Sequence, residues 1–197
     1  MFLLKKVLFL LALFILTLQP WRAIAGEPTV QLSATINEFV AILVATPVTE
    51  LQAIGLPDKA LKLIYNRFDF AEMTKRSLGS HWKTLAQNEQ REFVEAFTQK
   101  LLMAYGRTVR ASGDEKIHFK RETLDGKFAL VETKVVSGKG AELPIDYQLH
   151  DINGQWTVYD MVIDQISIVN NYRSQFERVI AKSSLKELLE RMKQQNS

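Results

Sequence analysis

The side chains best placed for general acid–base chemistry in this chain are three aspartates, Asp146, Asp160 and Asp164. Asp160 shares the alternating phase of Trp156 and Val158, which predicts that its carboxylate points towards the interior. A buried carboxylate needs hydrogen-bond or ionic partners. Asp160 is therefore either a general base of the ketosteroid isomerase kind or a structural group that anchors the following loop or pairs with Arg173. We favour the structural role.

The histidines show no spacing that is typical of a metal site. His81 precedes a tryptophan at a predicted helix end, and His118 and His150 lie in predicted strands, without a second ligand at zinc spacing. The chain contains no cysteine, which excludes thiol chemistry and cysteine-ligated zinc. No serine lies in a nucleophile elbow, and no glycine-rich loop opens a helix after a strand. Asp160 apart, the sequence predicts no catalytic residue, and it predicts no metal and no other cofactor.

The N-terminus has the three-part layout of a cleavable secretory signal peptide. Lys5 and Lys6 form a positive start, and Val7–Leu18 is an almost unbroken apolar run of 12 residues. That run is short for a membrane-spanning helix, which needs roughly 20 apolar residues. The small-residue site Ala23-Ile24-Ala25 then predicts cleavage after Ala25. We expect residues 1–25 to be the signal peptide and residues 26–197 to form a single domain in the periplasm.

The charge of the chain argues against binding to nucleic acid. The whole chain has 25 Lys and Arg against 22 Asp and Glu. Residues 1–25 contain three of the basic residues and no acidic one, so the remainder carries 22 of each. A nucleic-acid-binding protein would show a basic face, and neither the total nor the spacing predicts one.

The elements that would position these residues follow from the periodicity of apolar side chains. Spacings of three and four predict helices over residues 29–45, 57–65, 69–78, 88–107, 166–180 and 184–192. Pro47 is expected to end the first of these, and Asp69 to cap the third. Period-two alternation and tight-turn signals such as Gly113-Asp114 and Asn153-Gly154 predict strands over 117–122, 128–136, 143–149 and 156–163. The order predicts an α+β fold, in which helices pack over the concave face of a curved, four-stranded antiparallel sheet. A curved sheet with helices over its concave face leaves a cone-shaped interior, which is a natural place for a ligand.

Two groups of segments resemble a known family. The first is Phe68–Gly79, with the sequence FDFAEMTKRSLG, followed by His81-Trp82 and a helix that carries Phe93, Phe97 and Leu101. The second comprises Tyr147-Gln148-Leu149, GQWTVYD at 154–160, Ile166-Ser167 and NYRSQF at 171–176. Together they resemble the MlaC family, whose members are also described as toluene-tolerance or phospholipid-binding ABC-transport auxiliary proteins. Gln165 departs from the resemblance, because a glycine is expected there.

The resemblance implies a function as well as a fold. The fold would be a nuclear-transport-factor-like cone with extra helices. The protein would be a monomeric, non-enzymatic periplasmic carrier of diacyl phospholipid that helps to maintain membrane lipid asymmetry. It would shuttle lipid between an outer-membrane lipoprotein complex and an inner-membrane ABC transporter complex. A paralogous branch associated with hopanoids is an alternative that the segments do not separate.

The phase of strands and helices, combined with this resemblance, predicts the lining of a lipid pocket. Sheet-side candidates are Phe119, Val131, Val135, Tyr147, Leu149, Trp156, Val158 and Val162. Helix-side candidates are Phe97, Leu101, Tyr105, Ile166, Val169, Tyr172 and Phe176. We expect fewer than half to touch lipid, with the others holding the walls. Periodicity alone equally allows a fully packed interior, in which case the chain would be an interaction module.

Overall fold

The computed structural model describes residues 26–54, 56–106 and 115–195. Five helices come before the sheet: α1 Glu27–Ala45, α2 Val48–Ile54, α3 Asp58–Arg67, α4 Phe70–Leu78 and α5 Gln87–Leu101. A short 3₁₀ segment, Gly79–Thr84, follows α4, and one π turn, Leu102–Gly106, continues α5. The later elements are β1 Lys116–Asp125, β2 Phe128–Val136, β3 Glu142–Ile152, β4 Gln155–Ile163, β5 Ile166–Ser167, α6 Ile168–Lys182 and α7 Leu185–Gln195.

The sheet is antiparallel, with the strands in the order β1-β2-β3-β4-β5. Four strands were predicted, and the fifth is a two-residue strand that pairs with the end of β4. The predicted turn at Asn153-Gly154 is confirmed, since both residues have positive φ, at 56° and 85°. Asp164 and Gln165 also have positive φ, at 48° and 66°, and form the turn between β4 and β5. The α+β class is as predicted.

A β-bulge in β4 changes which side chains face the interior. Leu149 pairs with Val158 and Gln148 pairs with Asp160, so Tyr159 is the extra residue of the bulge. Residues directly opposite in an antiparallel pair project from the same face. We call the face that carries Val131, Tyr147, Leu149 and Val158 the inner face, and the opposite one the outer face. The bulge therefore places Met161 on the inner face and Asp160 on the outer face.

Helix α1 packs across the inner face of the sheet. Its Leu32 is buried among sheet residues, and its Thr29 donates hydrogen bonds to the Glu122 carboxylate of β1 through the backbone N (2.8 Å) and Oγ1 (2.6 Å). By length and composition, α1 is the one helix in the described ranges that could cross a membrane. The backbone N–H of Trp156 donates to Gln31 Oε1 of the same helix (3.0 Å), which ties it to β4.

Helices α3, α4 and α6 contact the sheet at β4. Phe68 forms a parallel bridge to Val158, and the backbone N–H of Asp69 donates to the Val158 carbonyl (2.8 Å). Asp69 then caps α4, as predicted, because its Oδ1 accepts from the backbone N–H of Glu72 (2.8 Å). Helix α6 lies against α4 and against β4. The helices therefore contact the sheet mainly along β4, and α1 covers the inner face separately.

Several predicted elements differ from the observed ones. The helix predicted over 88–107 ends at Leu101 and continues as the π turn. Helix α2 was not predicted, because Pro47 was interpreted only as the end of α1. The Pro47 carbonyl instead accepts from the backbone N–H groups of Glu50 and Leu51, so this proline also starts the next helix. The predicted signal peptide and the turn at Gly113-Asp114 lie outside the described residues.

Candidate functional site

Along β2, β3 and β4 the inner face of the sheet carries mainly apolar side chains, and these are covered at only one end. Strand register aligns its side chains in rows across the sheet. In the covered row, Ala129, Leu149 and Val158 of β2 to β4 are buried, whereas Leu124 at the β1 edge is 56% exposed. Two rows further along, Thr133 is buried but Ile145 is only partly so. In the last row, Leu143 is 41% exposed. The inner face therefore opens progressively, and we call its last two rows the open end.

The open end consists almost entirely of apolar side chains. Its two rows contain Ile117, Phe119, Thr133, Val135, Leu143, Ile145 and Ile163. The polar member, Thr133, donates its hydroxyl proton to the Ile145 carbonyl (2.6 Å), so it offers no unpaired donor. All but Leu143 are at least partly buried by the described residues. A surface of this kind can hold a hydrocarbon chain, since it removes apolar area from water without leaving polar groups unpaired.

The buried residues of the molecule form two clusters rather than one. The sheet cluster is built from Leu32, Ala129, Val131, Tyr147, Leu149, Trp156 and Val158. The helix cluster contains Phe70, Met73, Leu78, Phe93, Ala96, Phe97, Leu101, Ile168, Val169, Tyr172, Phe176, Leu188, Leu189 and Met192. Two partly buried side chains, Phe68 and Met161, pack against both clusters. We call the boundary between the clusters the seam, and Phe68 and Met161 lie in it.

The predicted pocket residues divide between these two clusters. Five of the predicted sheet-side residues, Val131, Tyr147, Leu149, Trp156 and Val158, are buried in the sheet cluster. Five predicted helix-side residues, Phe97, Leu101, Val169, Tyr172 and Phe176, are buried in the helix cluster. Their rings pack closely, with the Phe97 centroid 4.9 Å from that of Tyr172 and 5.3 Å from that of Phe176. These ten residues are packed walls, and contact with lipid at any of them remains a prediction.

Three other predicted pocket residues are only partly buried. Phe119 and Val135 lie on the inner face in the two open rows. Tyr105, in the π turn after α5, is partly buried against the helix cluster. Because these side chains are only partly covered, they are better placed than the buried walls to contact a ligand.

Two predicted pocket residues are misplaced. Val162 was assigned to the inner face by simple alternation from Trp156 and Val158, but the bulge at Tyr159 shifts the phase and puts Val162 on the outer face. Ile166 is 60% exposed in the short strand β5 and belongs to neither cluster. The prediction that Asp160 points to the interior of the cone is wrong for the same reason as for Val162.

Asp160 is nevertheless buried, with 4% of its surface exposed, because α6 covers it. Its Oδ2 accepts from the Ser167 hydroxyl (2.6 Å), and its Oδ1 accepts from the backbone N–H of Val169 (3.0 Å). Ser167 itself caps α6 by accepting from the backbone N–H of Asn170 (3.0 Å). Asp160 therefore holds the start of α6 against β4, which is the structural role favoured above.

Tyr147 is the tyrosine of the sheet cluster, and it lies in the middle of the inner face. Burial raises the pKa of Tyr147 to about 12. Its hydroxyl has no hydrogen-bond partner among the described residues, yet the oxygen keeps some accessible surface. The ring is thus buried against Val131 and Leu149, while the hydroxyl points to space that a solvent or ligand atom can reach.

Seven residues of the seam and the open end were not predicted as pocket residues, namely Phe68, Ile117, Thr133, Leu143, Ile145, Met161 and Ile163. Ile145 alternates with Tyr147, so its phase was visible in the sequence. Met161 and Ile163 were not identifiable, since they reach the inner face only through the bulge. Phe68 was identified as part of a family-like segment but not as a side chain that joins two clusters.

A separate concavity lies on the outside of helices α3 to α5. This outer groove has a volume of about 590 Å³ and is lined by Tyr65, Trp82, Val94 and Thr98 together with polar side chains of α5. None of its lining residues belongs to the inner face. Among the described residues, no group of three or more His, Asp or Glu side chains is arranged to hold a metal ion.

Comparison with known proteins places this geometry in context. Residues 33–194 match the family model described as MlaC protein. The toluene tolerance protein ttg2D of Pseudomonas putida is 32% identical over 89 residues, which are 45% of this chain and 41% of that protein. The intermembrane phospholipid transport system binding protein MlaC of Haemophilus influenzae is 22% identical over 125 residues, covering 61% of this chain and 58% of the relative. The chain thus spans about half the length of the curated relatives that it matches.

A solved structure shares the fold. The phospholipid-binding protein of Ralstonia solanacearum, determined in complex with a phospholipid, superposes with a TM-score of 0.75. The match covers 87% of this chain and 97% of that one, at 21% sequence identity. Because the family model spans most of the chain and the fold agrees, the chain belongs to the MlaC family.

Proposed function

We propose that this protein is a non-enzymatic carrier that shelters the acyl chains of a phospholipid between the open end of the inner face and the seam. The observation that carries the proposal is the exposure of inner-face side chains, which rises along β3 from the fully buried Leu149 to Leu143, which is 41% exposed. Membership of the MlaC family and the phospholipid bound to a relative of the same fold support it.

The energetics of lipid transfer set what such a site must offer. Burying one methylene is worth about 0.8 kcal/mol, so two acyl chains of roughly 30 methylenes represent about 24 kcal/mol of gross transfer free energy. A lipid leaves a bilayer only for a site of comparable apolarity. The site must not be much better than a bilayer, because the lipid also has to leave. An apolar surface with few hydrogen bonds meets both conditions.

The middle of the inner face is too well packed to accept a chain without movement. Val131, Leu149 and Val158 are fully buried under α1. The partly buried Phe68 and Met161 occupy the seam, where side chains can separate with the least loss of packing. We infer that acyl chains enter at the open end and extend into the seam, with the hydroxyl of Tyr147 available to a polar atom of the ligand.

The cellular setting belongs to the same proposal. Residues 1–25 would direct export, and residues 26–197 would act in the periplasm as one domain. The partners would be an outer-membrane lipoprotein complex and an inner-membrane ABC transporter complex. The name of the Haemophilus influenzae relative, an intermembrane phospholipid transport system binding protein, supports a partnership with transport complexes.

The alternative of an enzyme with Asp160 as base is disfavoured by geometry. Both carboxylate oxygens of Asp160 accept hydrogen bonds from the start of α6, and the residue faces away from the inner face. A base at this position would have no access to a ligand held on the inner face. The hopanoid-associated alternative places a different apolar ligand on the same surface, so analysis of the ligand separates the two.

The test is to purify the exported protein, extract it with organic solvent and analyse the extract by mass spectrometry. We expect co-purified diacyl phospholipid at close to one molecule per protein, and uptake of labelled phospholipid from liposomes after delipidation. Detection of hopanoid without phospholipid in the extract would assign the protein to the paralogous, hopanoid-associated branch. Neither lipid in the extract, together with no uptake from liposomes, would refute the carrier function.

A further inference from the structure

A second concavity lies on the opposite side of β4 from the inner face. It has a volume of about 330 Å³ and is enclosed by α4, by the first turns of α6 and by the outer face of β3 and β4. Its polar lining comes from Lys75, Arg76, Gln148, Tyr159, Asp160, Asn170 and Arg173. We call it the outer-face cleft. The two groups of segments that resemble the MlaC family contribute six of these residues, namely Lys75, Arg76, Gln148, Tyr159, Asp160 and Arg173. None of the six contributes to the apolar site on the inner face.

The two carboxylates of this region are already engaged by other groups. Glu72 receives Lys75 Nζ on one oxygen and Arg76 Nε on the other, each at 2.9 Å. Burial alone would raise the pKa of Glu72, but the hydrogen bonds and charges of Lys75 and Arg76 outweigh it and lower the pKa. Asp160 uses both its oxygens at the start of α6. Glu72 is shared by Lys75 and Arg76, and within the described residues the Asp160 carboxylate forms no ion pair with a cation of the cleft.

Arg173 is a further cation of the cleft. Within the described ranges its guanidinium has no hydrogen-bond or ion-pair partner. It lies against Gly79, at the end of α4, where a Cβ atom would come within 3.3 Å of Arg173 Nε. Gly79 has a φ of 57°, which favours glycine at this position. The glycine therefore allows the guanidinium to lie close to the backbone at the end of α4, beside Lys75 and Arg76.

The cleft also presents neutral donors. The side-chain amides of Gln148 and Asn170 line it and make no hydrogen bond to the described residues. Arg76 stacks over the ring of Tyr159, with its guanidinium carbon 4.1 Å from the ring centroid, so its position is fixed by packing as well as by Glu72. Lys75, Arg76 and Arg173 are three cations, and Glu72 and Asp160 are two carboxylates, so the region has an excess of one positive charge. The unpaired amides of Gln148 and Asn170 line the same cleft.

We propose that the outer-face cleft binds a phosphate group. A guanidinium fork matches two phosphate oxygens, and the Lys75 ammonium adds a point charge beside it. The cleft is on the outer face, so the headgroup of a lipid held on the inner face is separated from it by the sheet. The phosphate is therefore that of a free solute or that of a headgroup at a membrane surface that the protein approaches.

The test uses the full exported chain and two probes. Inorganic phosphate is titrated calorimetrically, and co-flotation is measured with phosphatidylglycerol vesicles against phosphatidylcholine vesicles. Arg173→Gln is compared with Arg178→Gln, because Arg178 is an exposed arginine on the same helix that does not line the cleft. We expect Arg173→Gln to weaken binding about tenfold or more and Arg178→Gln to leave it unchanged. Circular dichroism checks that both variants are folded.

The outcomes assign the source of the phosphate or reject the site. Saturable binding of inorganic phosphate that depends on Arg173 supports a free solute. Flotation with phosphatidylglycerol that depends on Arg173, without binding of inorganic phosphate, supports a headgroup at a membrane surface. Binding of neither probe, or equal binding by the two variants, overturns the proposal. Lipid uptake on the inner face is measured in parallel, so failure of the cleft is distinguishable from failure of the carrier function.

Discussion

Val158 and Met161 project from the same face of the sheet although they are three residues apart in β4. In a regular strand this separation would put them on opposite faces. The extra residue Tyr159 shifts the alternation of side chains by one residue. Val158 therefore pairs with Leu149 and Met161 pairs with Tyr147, all on the inner face. The bulge gives β4 two inner-face residues, Met161 and Ile163, at the end where the inner face is exposed. It also turns Asp160 towards α6, so one local irregularity serves both the apolar site and the anchoring of a helix.

The bulge provides a matched pair of substitutions for lipid binding. Met161→Glu places a charge in the seam, where an ionised carboxylate next to acyl chains is strongly unfavourable. Val162→Glu places the same charge one residue away, on the outer face. We expect Met161→Glu to reduce uptake of fluorescent phospholipid from liposomes at least tenfold and Val162→Glu to change it less than twofold. Equal loss in both variants, at equal folded content by circular dichroism, would contradict the assignment of faces.

Asp160 should contribute to stability rather than to activity. Asp160→Ala leaves the buried backbone N–H of Val169 without a partner and weakens the α6 cap. An unsatisfied buried donor costs about 1–3 kcal/mol, and we expect the free energy of unfolding in urea to fall by about that amount. Asp160→Asn keeps one acceptor and should lose less. Unchanged stability of the alanine variant would show that the hydrogen bonds to Ser167 and Val169 do not hold α6.

The turn between β4 and β5 contains a residue that is unfavourable for its conformation. Gln165 has a φ of 66°, in the left-handed region where a side chain costs roughly 1–2 kcal/mol and glycine does not. Part of the gain from glycine is lost to the greater entropy of the unfolded chain. We expect Gln165→Gly to raise the free energy of unfolding by about 0.5–1 kcal/mol. Gln165→Ala is the control and should give no gain; a glycine variant no more stable than the alanine variant would argue against this turn geometry.

The buried phenol of Tyr147 predicts a loss of stability in alkali. Its pKa of about 12 in the folded protein lies above the ordinary value of 10, so the unfolded chain ionises first. The contribution of the neutral phenol is complete below pH 10 and is lost as the pH rises towards 12. About two pH units correspond to roughly 2–3 kcal/mol. We expect urea unfolding between pH 9 and 11.5 to show a smaller alkaline loss in Tyr147→Phe than in the wild type. Parallel curves for the two proteins would mean that the surroundings of Tyr147 do not raise its pKa in solution.

Much of the fold follows from local rules that the sequence displays. The cap by Asp69, the turn at Asn153-Gly154 and the alternation around Tyr147 each depend on residues that are neighbours in the chain, and the structure confirms them. The prediction of an α+β fold followed from the order of these elements. Packing between distant segments, such as the bridge from Phe68 to Val158, has no local signal.

The site was harder to predict than the fold because both faces of β4 carry apolar residues. Val162 and Met161 are both hydrophobic, so the sequence does not reveal that the phase changes between Val158 and Asp160. The extra residue of the bulge, Tyr159, packs with Phe128, His150 and Arg76 on the outer face, and such contacts between distant segments have no local signal in the sequence. The predicted phase therefore holds up to Val158 and is wrong beyond it.

The most direct measurement is photocrosslinking of the delipidated protein with a phospholipid that carries a diazirine at the end of one acyl chain. After irradiation, the crosslinked peptides are mapped by mass spectrometry. If acyl chains lie on the inner face, we expect crosslinks to residues of the open end and the seam, including Phe119, Ile145 and Met161. Crosslinks confined to the outer groove around Tyr65, Trp82 and Val94, with none on the inner face, would contradict this placement of the acyl chains.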